Sequence, residues 1–388
     1  MRKILYPLSK ISTCHNKENK KLRKQLIQEI SQTYEITNQV LIEKDIILHE
    51  ILTDLTNEEF FIQNFLFKGG TCLVKAFLNY IRFSEDMDFT WKDQSIFQGK
   101  SGKQIRKNLS ELLAKTAKIL ENISQKRGLD FKYEKDNSHY VELGGSNKMC
   151  TFYLWYTSEI TNIESFLKVQ INFVEKLLFS SHSKELESLG TNSNESLKTL
   201  FEDSEYLKKI EFPTYDPKEI LCEKIRAILT RKGIKARDFI DIFFICEKFS
   251  VNLEDVKKES VEKFNFALEN YEKYRDNMKE KMKQLESENF FELGEEENLL
   301  LQKIDKEKFY SFTKDLGKFL NTVIPKEYHD PKFSIPISAV CSGADGAYNI
   351  PHSVYLPNPE NKRFDQIDLS KEKCPKCGLI GTMQAFPF

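Results

Sequence analysis

The chain has 388 residues, more than one ordinary domain of about 100–200 residues, so two or three packed units are expected. Its 58 basic and 59 acidic residues give a net charge of −1, which excludes a protein that coats nucleic acid through overall charge. No uncharged apolar run approaches the roughly 18 residues of a membrane-spanning helix, and the N-terminus lacks the apolar stretch of a secretory signal. We therefore expect a cytosolic protein whose nucleic-acid contacts, if any, are local.

Helix is expected to dominate the chain before residue 324, because Lys, Glu and Ile are abundant and only three of the 11 Pro precede that position. A basic helix is predicted in KENKKLRKQLIQEI and an amphipathic helix in TNQVLIEKDIILHEILTDL. From Pro325 onward the remaining Pro indicate an extended, turn-rich tail. We predict a core with N-terminal helices over residues 1–211, a helical bundle over 212–324 and a tail over 325–388.

A strand, a glycine turn and a helix are predicted in succession near residue 70. NFLFK has the character of a short strand that ends at Gly69 and Gly70, and TCLVKAFLNYI then resumes helical spacing. In DMDFTW the period is two, so Asp86 and Asp88 are expected side by side on one strand face. A divalent cation such as Mg²⁺ would neutralise the carboxylates, and the glycines would let backbone N–H groups approach phosphate. The order of these features predicts nucleotide chemistry, although a lone Gly-Gly is usually only a turn and a lone Asp-x-Asp only a surface pair.

The middle of the chain alternates between helical and strand patterns. Residues 105–123 predict an amphipathic helix, and strands are expected in FKYEK, HYVEL, MCTFYLWYTS and LKVQINFV. The last strand places Lys168, Gln170 and Asn172 on one face. The polar stretch 180–205 is predicted to be a loop-rich connection.

The helices that follow are predicted from a cap and from apolar stripes. Asp216 as N-cap, Pro217 in the first helical position and Glu219 three residues after the cap predict a helix start. Apolar residues at helical spacing over 264–285 and 304–319 predict the core of a bundle rather than a cofactor site.

The tail carries a candidate metal site. CPKCG places Cys374 and Cys377 at the two-residue spacing of a zinc knuckle, followed by glycine. Cys341 and His352 are the other donors nearby, at a spacing unlike the usual second pair. A structural Zn²⁺ in a zinc-ribbon-like tail is one interpretation, and a pair of reduced thiols in a turn is the other.

Two blocks of the chain resemble a known family. EKDIILHEILTDLTNEEFFIQNFLFKGGTCLVKAFLNYIRFSEDMDFTW closely resembles the opening of the AbiEii-like nucleotidyltransferases, the toxins of type IV toxin–antitoxin systems. The residues that carry this resemblance are Glu43, Lys44, Asp45, Lys68, Gly69, Gly70, Thr71, Arg82, Phe83, Ser84, Glu85, Asp86 and Asp88. A second block, PKEILCEKIRAILTRKGIKARDFIDIFF, is similar to the family's Lys-bearing helix and Arg-Asp pair, here Lys224, Arg237 and Asp238.

The resemblance covers residues 40–245 and implies the polymerase-β-like nucleotidyltransferase fold, an α/β (α+β) core with a mixed sheet. It implies that Asp86 and Asp88 hold Mg²⁺ or Mn²⁺. The residues implied to bind the nucleoside triphosphate are Lys68, Gly69, Gly70, Thr71, Ser84 and Arg237, and those implied in catalysis are Asp86, Asp88, Lys224 and Asp238. A nucleoside monophosphate would pass to an acceptor, expected to be RNA such as the tRNA 3′ end. The implied setting is a toxin–antitoxin or phage-defence system with a cognate antitoxin protein.

Three functions stay open at this point. Gln170 stands where many members of the superfamily carry a third carboxylate, and a neutral amide is a poor proton acceptor. Lys224 and Arg231 share a helical face and could both reach a polyphosphate, while Asp238 could orient Lys224 or pair with Arg237. The alternatives to transfer onto RNA are transfer onto a protein side chain or a small molecule, and nucleotide or RNA binding without turnover.

Overall fold

The structure is a computed structural model that describes residues 22–97, 100, 102–145, 147–191, 195–285, 291, 294, 297, 300–325, 337–341, 352–356, 368–372, 374 and 383–385. The chain divides into two compact units, one of residues 1–220 and 295–304 and the other of residues 221–294 and 305–388. The division into core, bundle and tail that the sequence suggests stays a prediction, since these two units do not test it. In the described part of the chain, no helix combines the length and apolar character needed to cross a bilayer.

The first unit mixes helices with the strands of one sheet. Its main elements are α1 (22–33), α2 (Gln39–Thr56), α3 (Glu59–Asn64), β1 (Phe65–Lys68), α4 (Gly69–Cys72) with a π-helical turn (Leu73–Phe77), β2 (Asp86–Trp91), α5 (Gly102–Arg127), β3 (Val141–Gly144), β4 (Met149–Thr157), β5 (Glu164–Asn172), β6 (His182–Leu186), α6 (Glu195–Leu200) and β7 (Ile210–Thr214). Helix α7 (Pro217–Thr230) then leads into the second unit.

The seven strands form one mixed sheet, as the resemblance implies. Their order is β3-β4-β5-β2-β1-β7-β6. Strand β2 is parallel to β5 and β1 is parallel to β7, whereas the other neighbours are antiparallel. Strand β2 therefore lies in the interior of the sheet, with β1 on one side and β5 on the other.

Aromatic side chains pack the central strands against helix α3. Phe67 and Phe89 are paired across β1 and β2, and their ring centroids lie 5.1 Å apart. Phe212 of β7 lies 5.7 Å from Phe67, and Phe61 of α3 stacks on Phe65 at 4.5 Å. Burial of each such ring contributes about 1.5–3 kcal/mol, so this cluster holds β1 and β2 in a fixed relation.

Two predictions for the first unit are wrong. FKYEK is a loop rather than a strand, because its backbone bonds locally, for example from Glu134 N–H to the Lys132 carbonyl. Only Asp130, just before it, bridges to β4, at Trp155. The stretch 180–205, predicted to be loop-rich, contains strand β6, whose side chains are mostly exposed at the edge of the sheet.

The predicted cap of α7 is present, with one difference. Asp216 Oδ1 accepts a hydrogen bond from the Lys218 N–H at 2.7 Å. The Glu219 carboxylate accepts from the N–H groups of Leu178 and Phe179, at 3.0 and 2.7 Å. Glu219 therefore ties the start of α7 to the segment that follows β5.

The second unit contains the predicted helices and a small antiparallel sheet. Beyond α7 its elements are α8 (Ala236–Phe249), α9 (Lys257–Asn270), α10 (Glu272–Leu285), α11 (Lys306–Val323), β8 (Ile337–Cys341), β9 (His352–Leu356) and β10 (Met383–Ala385). Phe243 of α8 packs against Phe309 of α11 with ring centroids 5.4 Å apart, and Phe264 of α9 is fully buried. The short strands follow the order β10-β8-β9.

Candidate functional site

The two acidic residues of β2 lie on the face of the sheet opposite the residues that pack in the core. Asp86 and Asp88 are half-buried, whereas Met87 and Phe89 between and after them are completely buried on the core face. Strand geometry therefore places both carboxylates on the same face, as the alternating pattern predicts. Within the described residues, the Asp86 carboxylate takes part in no hydrogen bond or ion pair.

The glycine turn lies directly against the second carboxylate. Lys68, the last residue of β1, is paired with Asp88, and the chain then turns at Gly69 with φ of +74°. A Cβ at Gly69 would lie 2.3 Å from Asp88 Oδ2, and one at Gly70 would lie 2.6 Å from Arg82 Nη2. A Cβ fits at either position only if the neighbouring Asp88 or Arg82 side chain moves, because the turn's backbone lies against the carboxylate and the guanidinium group.

Hydrogen bonds connect the turn to the start of β2. The Thr71 hydroxyl donates to the Asp86 carbonyl oxygen and lies 2.8 Å from the Ser84 hydroxyl. The Arg82 guanidinium is buried and donates to the Phe83 carbonyl at 2.6 Å. Thr71 and Ser84, both predicted to bind nucleotide, thus also join the two segments that carry the glycines and the carboxylates.

Strand β5 lines the other side of the acidic pair. Asp86 is paired with Lys168 and Asp88 with Gln170, so Gln170 lies beside the Asp88 carboxylate. Gln170 Nε2 donates to the Thr151 hydroxyl of β4 at 3.2 Å. Lys168 was assigned no role from the sequence, although the alternation of LKVQINFV places it on this face.

A further carboxylate, not singled out from the sequence, lies near the turn. Glu175 follows β5, and its Oε2 lies 3.5 Å from Lys68 Nζ and accepts from Asn172 Nδ2 at 3.4 Å. The Lys68 ammonium also lies 5.5 Å from the centre of the Tyr215 ring. Glu175 therefore holds Lys68, and no local pattern in the sequence indicates this contact.

The acidic pair has the donor chemistry of a magnesium site. Mg²⁺ is usually bound by one or two carboxylates together with waters and substrate phosphates. Within the described residues, no group of three or more His, Cys, Asp or Glu side chains could hold a metal ion. Two adjacent carboxylates beside the glycine turn fit an ion that takes its other ligands from substrate and water.

The second unit contains a separate charged cluster around a predicted catalytic lysine. Lys224 Nζ lies 2.8 Å from Asp238 Oδ1 and 2.7 Å from Asp241 Oδ2, and Arg231 Nη1 lies 2.6 Å from Asp238 Oδ2. Burial alone would raise the pKa of Asp238, but Lys224, Arg231 and then Arg237 lower it to about 2. Asp241 was not predicted, although it lies one helical turn after Asp238.

A comparison with models of known protein families shows to which family the chain belongs. The model of the family described as "Nucleotidyl transferase AbiEii toxin, Type IV TA system" matches residues 50–332. This chain belongs to the AbiEii family. Membership in a toxin–antitoxin family implies a nucleotide substrate and an antitoxin partner in general terms.

Solved structures and curated proteins were compared as well. The structure of JHP933 from Helicobacter pylori matches at 16% identity over 76% of this chain and 97% of that chain, with a TM-score of 0.36. A candidate nucleotidyltransferase from H. pylori matches at 17% identity over 68% of this chain and 88% of that chain, with a TM-score of 0.31. No curated protein matches.

The Glu-Lys-Asp segment of this AbiEii chain supports the site from α2. The Glu43 carboxylate accepts from the Ser158 hydroxyl and from the Glu159 N–H, both at 2.6 Å. Lys44 pairs with Glu85 at 2.5 Å, one residue before the acidic pair. These contacts connect α2 to the end of β4 and to the start of β2.

Asp45 anchors the helical segment that follows the glycine turn. Its carboxylate accepts from the hydroxyls of Tyr80 and Tyr206, at 2.9 and 2.7 Å, and lies 2.9 Å from Lys75 Nζ. Burial lowers the pKa of Lys75, while Asp45 acts in the opposite direction. The pair is completely enclosed, so the turn is attached to α2 through a buried ion pair.

The predicted zinc ligands lie beyond the region that matches the AbiEii family. Strands β8 and β9 make Cys341 and His352 direct cross-strand partners. Cys374 is buried, and Cys377 lies outside the described residues. The zinc site stays a prediction.

Proposed function

We propose that this AbiEii chain is a metal-dependent nucleotidyltransferase that moves a nucleoside monophosphate from a nucleoside triphosphate onto RNA, such as a tRNA 3′ end. The observation that supports it most is the contact between turn and carboxylate, since a Cβ at Gly69 would lie 2.3 Å from Asp88 Oδ2. A phosphate bound by the turn would therefore lie beside both carboxylates.

Each part of the site has a binding role in this proposal. Backbone N–H groups at Gly69, Gly70 and Thr71 would bind triphosphate oxygens, because the glycines leave the backbone accessible. Asp86 and Asp88 would hold Mg²⁺ or Mn²⁺, which neutralises and orients the triphosphate when bound. The buried contacts beneath the turn keep these groups in a fixed arrangement.

The transfer would then be an in-line displacement. The acceptor hydroxyl oxygen forms a bond to the α-phosphorus, the bond from that phosphorus to the bridging oxygen breaks, and pyrophosphate leaves. Gln170, beside Asp88, can donate a hydrogen bond to ribose or ligate a cation, but it cannot take the hydroxyl proton, which passes to solvent. The chain's contribution is therefore mainly positioning and charge stabilisation.

We also propose that Lys224 binds a phosphate group during the reaction, with Asp238 and Asp241 orienting its ammonium group. The support is the close pairing of Lys224 with both carboxylates, together with its match to the family's Lys-bearing helix. Lys224→Gln should lower the transfer rate, whereas Lys257→Gln, at a partly exposed lysine of the same unit, should leave it unchanged.

In the proposed setting the chain is the toxin of a type IV toxin–antitoxin or phage-defence system. Modification of RNA in the cytosol would arrest growth, and a cognate antitoxin protein would oppose it. The support for this setting is membership in the AbiEii family.

The experiment is incubation of the full chain with each α-labelled nucleoside triphosphate, Mg²⁺ or Mn²⁺, and a cell extract that is then separated into RNA, protein and small-molecule fractions. Label in RNA, with release of pyrophosphate, is the expected result. Label found only in the protein or small-molecule fraction would show that the acceptor is not RNA but a protein or a small molecule. Nucleotide binding without label in any fraction would contradict transfer altogether.

A further inference from the structure

Aromatic residues continue the face that carries the acidic pair across β5 and β4. Tyr153 of β4 is paired with Lys168 of β5, which is itself paired with Asp86, and Trp155 is paired with Phe166. We call Tyr153, Trp155, Phe166 and Lys168 the aromatic strip. Direct partners point to the same side of a sheet, so the strip and the Asp86 carboxylate share one face.

The strip is not part of the hydrophobic core. The residues of β4 and β5 that face the core include Phe152, Leu154, Leu167 and Val169, which are completely buried. The strip residues alternate with these and are half-buried. The core face is filled without them, so the three aromatic rings form a second set of contacts on the opposite face of the sheet, where the Tyr153 hydroxyl donates to Glu142 and Trp155 Nε1 donates to the His139 carbonyl.

The rings of the strip lie in edge-to-face contact with one another. The Phe166 ring lies 5.4 Å from Tyr153 and 4.8 Å from Trp155. His139 stacks on the Trp155 ring at 4.3 Å with an angle of 5° between the planes. The Phe166 ring stands at 80° to Tyr153 and at 61° to Trp155, so the strip offers separate ring faces, each of which can accept a nucleobase by stacking, whatever the identity of the base.

The strip also provides a cation. Lys168 Nζ lies 5.8 Å from the centre of the Tyr153 ring and 5.7 Å from that of Phe166. No carboxylate of the described residues lies within ion-pair distance of Lys168, whereas Lys44, which also lies over Phe166, is paired with Glu85. The Lys168 ammonium is therefore available to a phosphate group.

The position of the strip in the sheet indicates which substrate it binds. In the order β4-β5-β2-β1, the glycine turn lies on the β1 side of the acidic pair and the strip on the β5 side. In-line transfer requires the attacking and leaving oxygens on opposite sides of the phosphorus. With pyrophosphate leaving toward the turn, the acceptor enters over β5 and β4, within about two strand spacings, or about 10 Å, of Asp86.

We propose that the aromatic strip binds the single-stranded end of an RNA acceptor, with bases stacked on the rings and a backbone phosphate on Lys168. This inference rests on the proposed function and adds the surface that holds the acceptor. Stacking without base-specific hydrogen bonds predicts tolerance of different terminal sequences.

The test uses the full chain, a single-stranded RNA oligonucleotide and four variants. Phe166→Leu removes the stacking ring, and Phe166→Tyr retains it. Lys168→Gln removes the cation. Lys184→Gln is the matched control, because Lys184 also lies over an aromatic ring, 5.9 Å from the centre of Phe77, on edge strand β6 at the other end of the sheet. Oligonucleotide Kd over a range of salt, and KM values for oligonucleotide and nucleoside triphosphate, are measured for each.

Phe166→Leu should weaken oligonucleotide binding about 5- to 150-fold, the range for loss of one base–aromatic stack, and Phe166→Tyr should stay near wild type. Lys168→Gln should reduce the slope of log K against log salt by about 0.7, and Lys184→Gln should not change it. The KM for nucleoside triphosphate should stay constant throughout.

Three results would overturn the inference: unchanged oligonucleotide binding in both Phe166→Leu and Lys168→Gln, an equal effect in Lys184→Gln, or a rise confined to the KM for nucleoside triphosphate.

The failure of this inference can be distinguished from the failure of the proposed function. A wild type that labels RNA while the strip variants do not differ from it refutes the strip alone. A wild type that binds the oligonucleotide through the strip but transfers nothing refutes the transfer reaction alone.

Discussion

Gly69→Ala tests the contact between the glycine turn and the acidic pair. The new methyl group would lie 2.3 Å from Asp88 Oδ2 and 2.9 Å from its Cγ, closer than non-bonded atoms approach. To restore an ordinary separation of about 3.5 Å, the carboxylate must move by about 1 Å. A displacement of that size at reacting groups costs about 100-fold in rate.

A matched control separates this displacement from backbone strain. Gly69 has φ of +74° and Gly128, which follows α5, has φ of +69°. An alanine costs roughly 1–2 kcal/mol in this left-handed conformation. Nothing lies within 4 Å of a Cβ at Gly128, so Gly128→Ala carries the strain without the collision. Gly128→Ala should lose the stability that the strain alone costs, and Gly69→Ala should lose at least as much.

The assay combines urea unfolding with the initial rate of label transfer from α-labelled nucleoside triphosphate to RNA. We expect Gly128→Ala to transfer at nearly the wild-type rate and Gly69→Ala to transfer about 100-fold more slowly. A Gly69→Ala protein that is folded and as active as Gly128→Ala would refute the role of the turn.

Three further predictions concern the supporting contacts. Asp45→Asn leaves the buried Lys75 ammonium without its counter-charge and should cost about 3–5 kcal/mol in urea unfolding; an unchanged midpoint contradicts the anchoring role. The pKa of Asp238 is about 2 in the folded chain against an ordinary 3.8, so its ion pairs stabilise the fold fully above pH 4 and progressively less as the pH falls toward 2. Asp238→Asn should therefore flatten the acid-unfolding curve in that window, and identical curves would argue against the pairing. Purified full chain should contain zinc that Cys374→Ser loses, and metal analysis showing no zinc in the wild type removes the tail site.

The local features of the site could be predicted because they depend on neighbouring residues only. The period of two in DMDFTW is sufficient to place Asp86 and Asp88 on one face, and adjacent glycines after a strand are sufficient to predict a turn. The cap at Asp216 is similarly local. The resemblance to the AbiEii family then predicted that the glycine turn and the acidic pair belong to one site.

The contacts that complete the site depend on which strands pair, and no local pattern specifies this. Lys168 was on the predicted polar face of its strand, but only the parallel pairing of β2 with β5 brings it beside Asp86. Glu175 reaches Lys68 from a segment without periodicity, for the same reason. Asp241 lies outside the family motif that marks Asp238, and only the packing of α7 against α8 shows that it contacts Lys224.

The two errors on strands have different causes: one segment has a strand pattern without forming a strand, and the other forms a strand without the pattern. FKYEK alternates as a strand does, yet β3 occupies the position beside β4 and the segment bonds to itself. HSKEL, which forms β6, has four exposed positions and one buried position, so hydrophobic alternation is absent. Its pairing with β7 is provided by backbone N–H and carbonyl groups, which every residue except proline carries in full, so the pairing leaves little trace in the side-chain pattern.

The most direct test of the central claim is the intact mass of a purified tRNA after incubation with the full chain, nucleoside triphosphates and Mg²⁺. Wild type is compared with Asp86→Asn and with Asp93→Asn, an exposed aspartate just after β2. The account predicts that the tRNA gains whole nucleoside monophosphate units with wild type and Asp93→Asn, and none with Asp86→Asn. An unchanged tRNA mass with wild type, or an equal gain with Asp86→Asn, would contradict it.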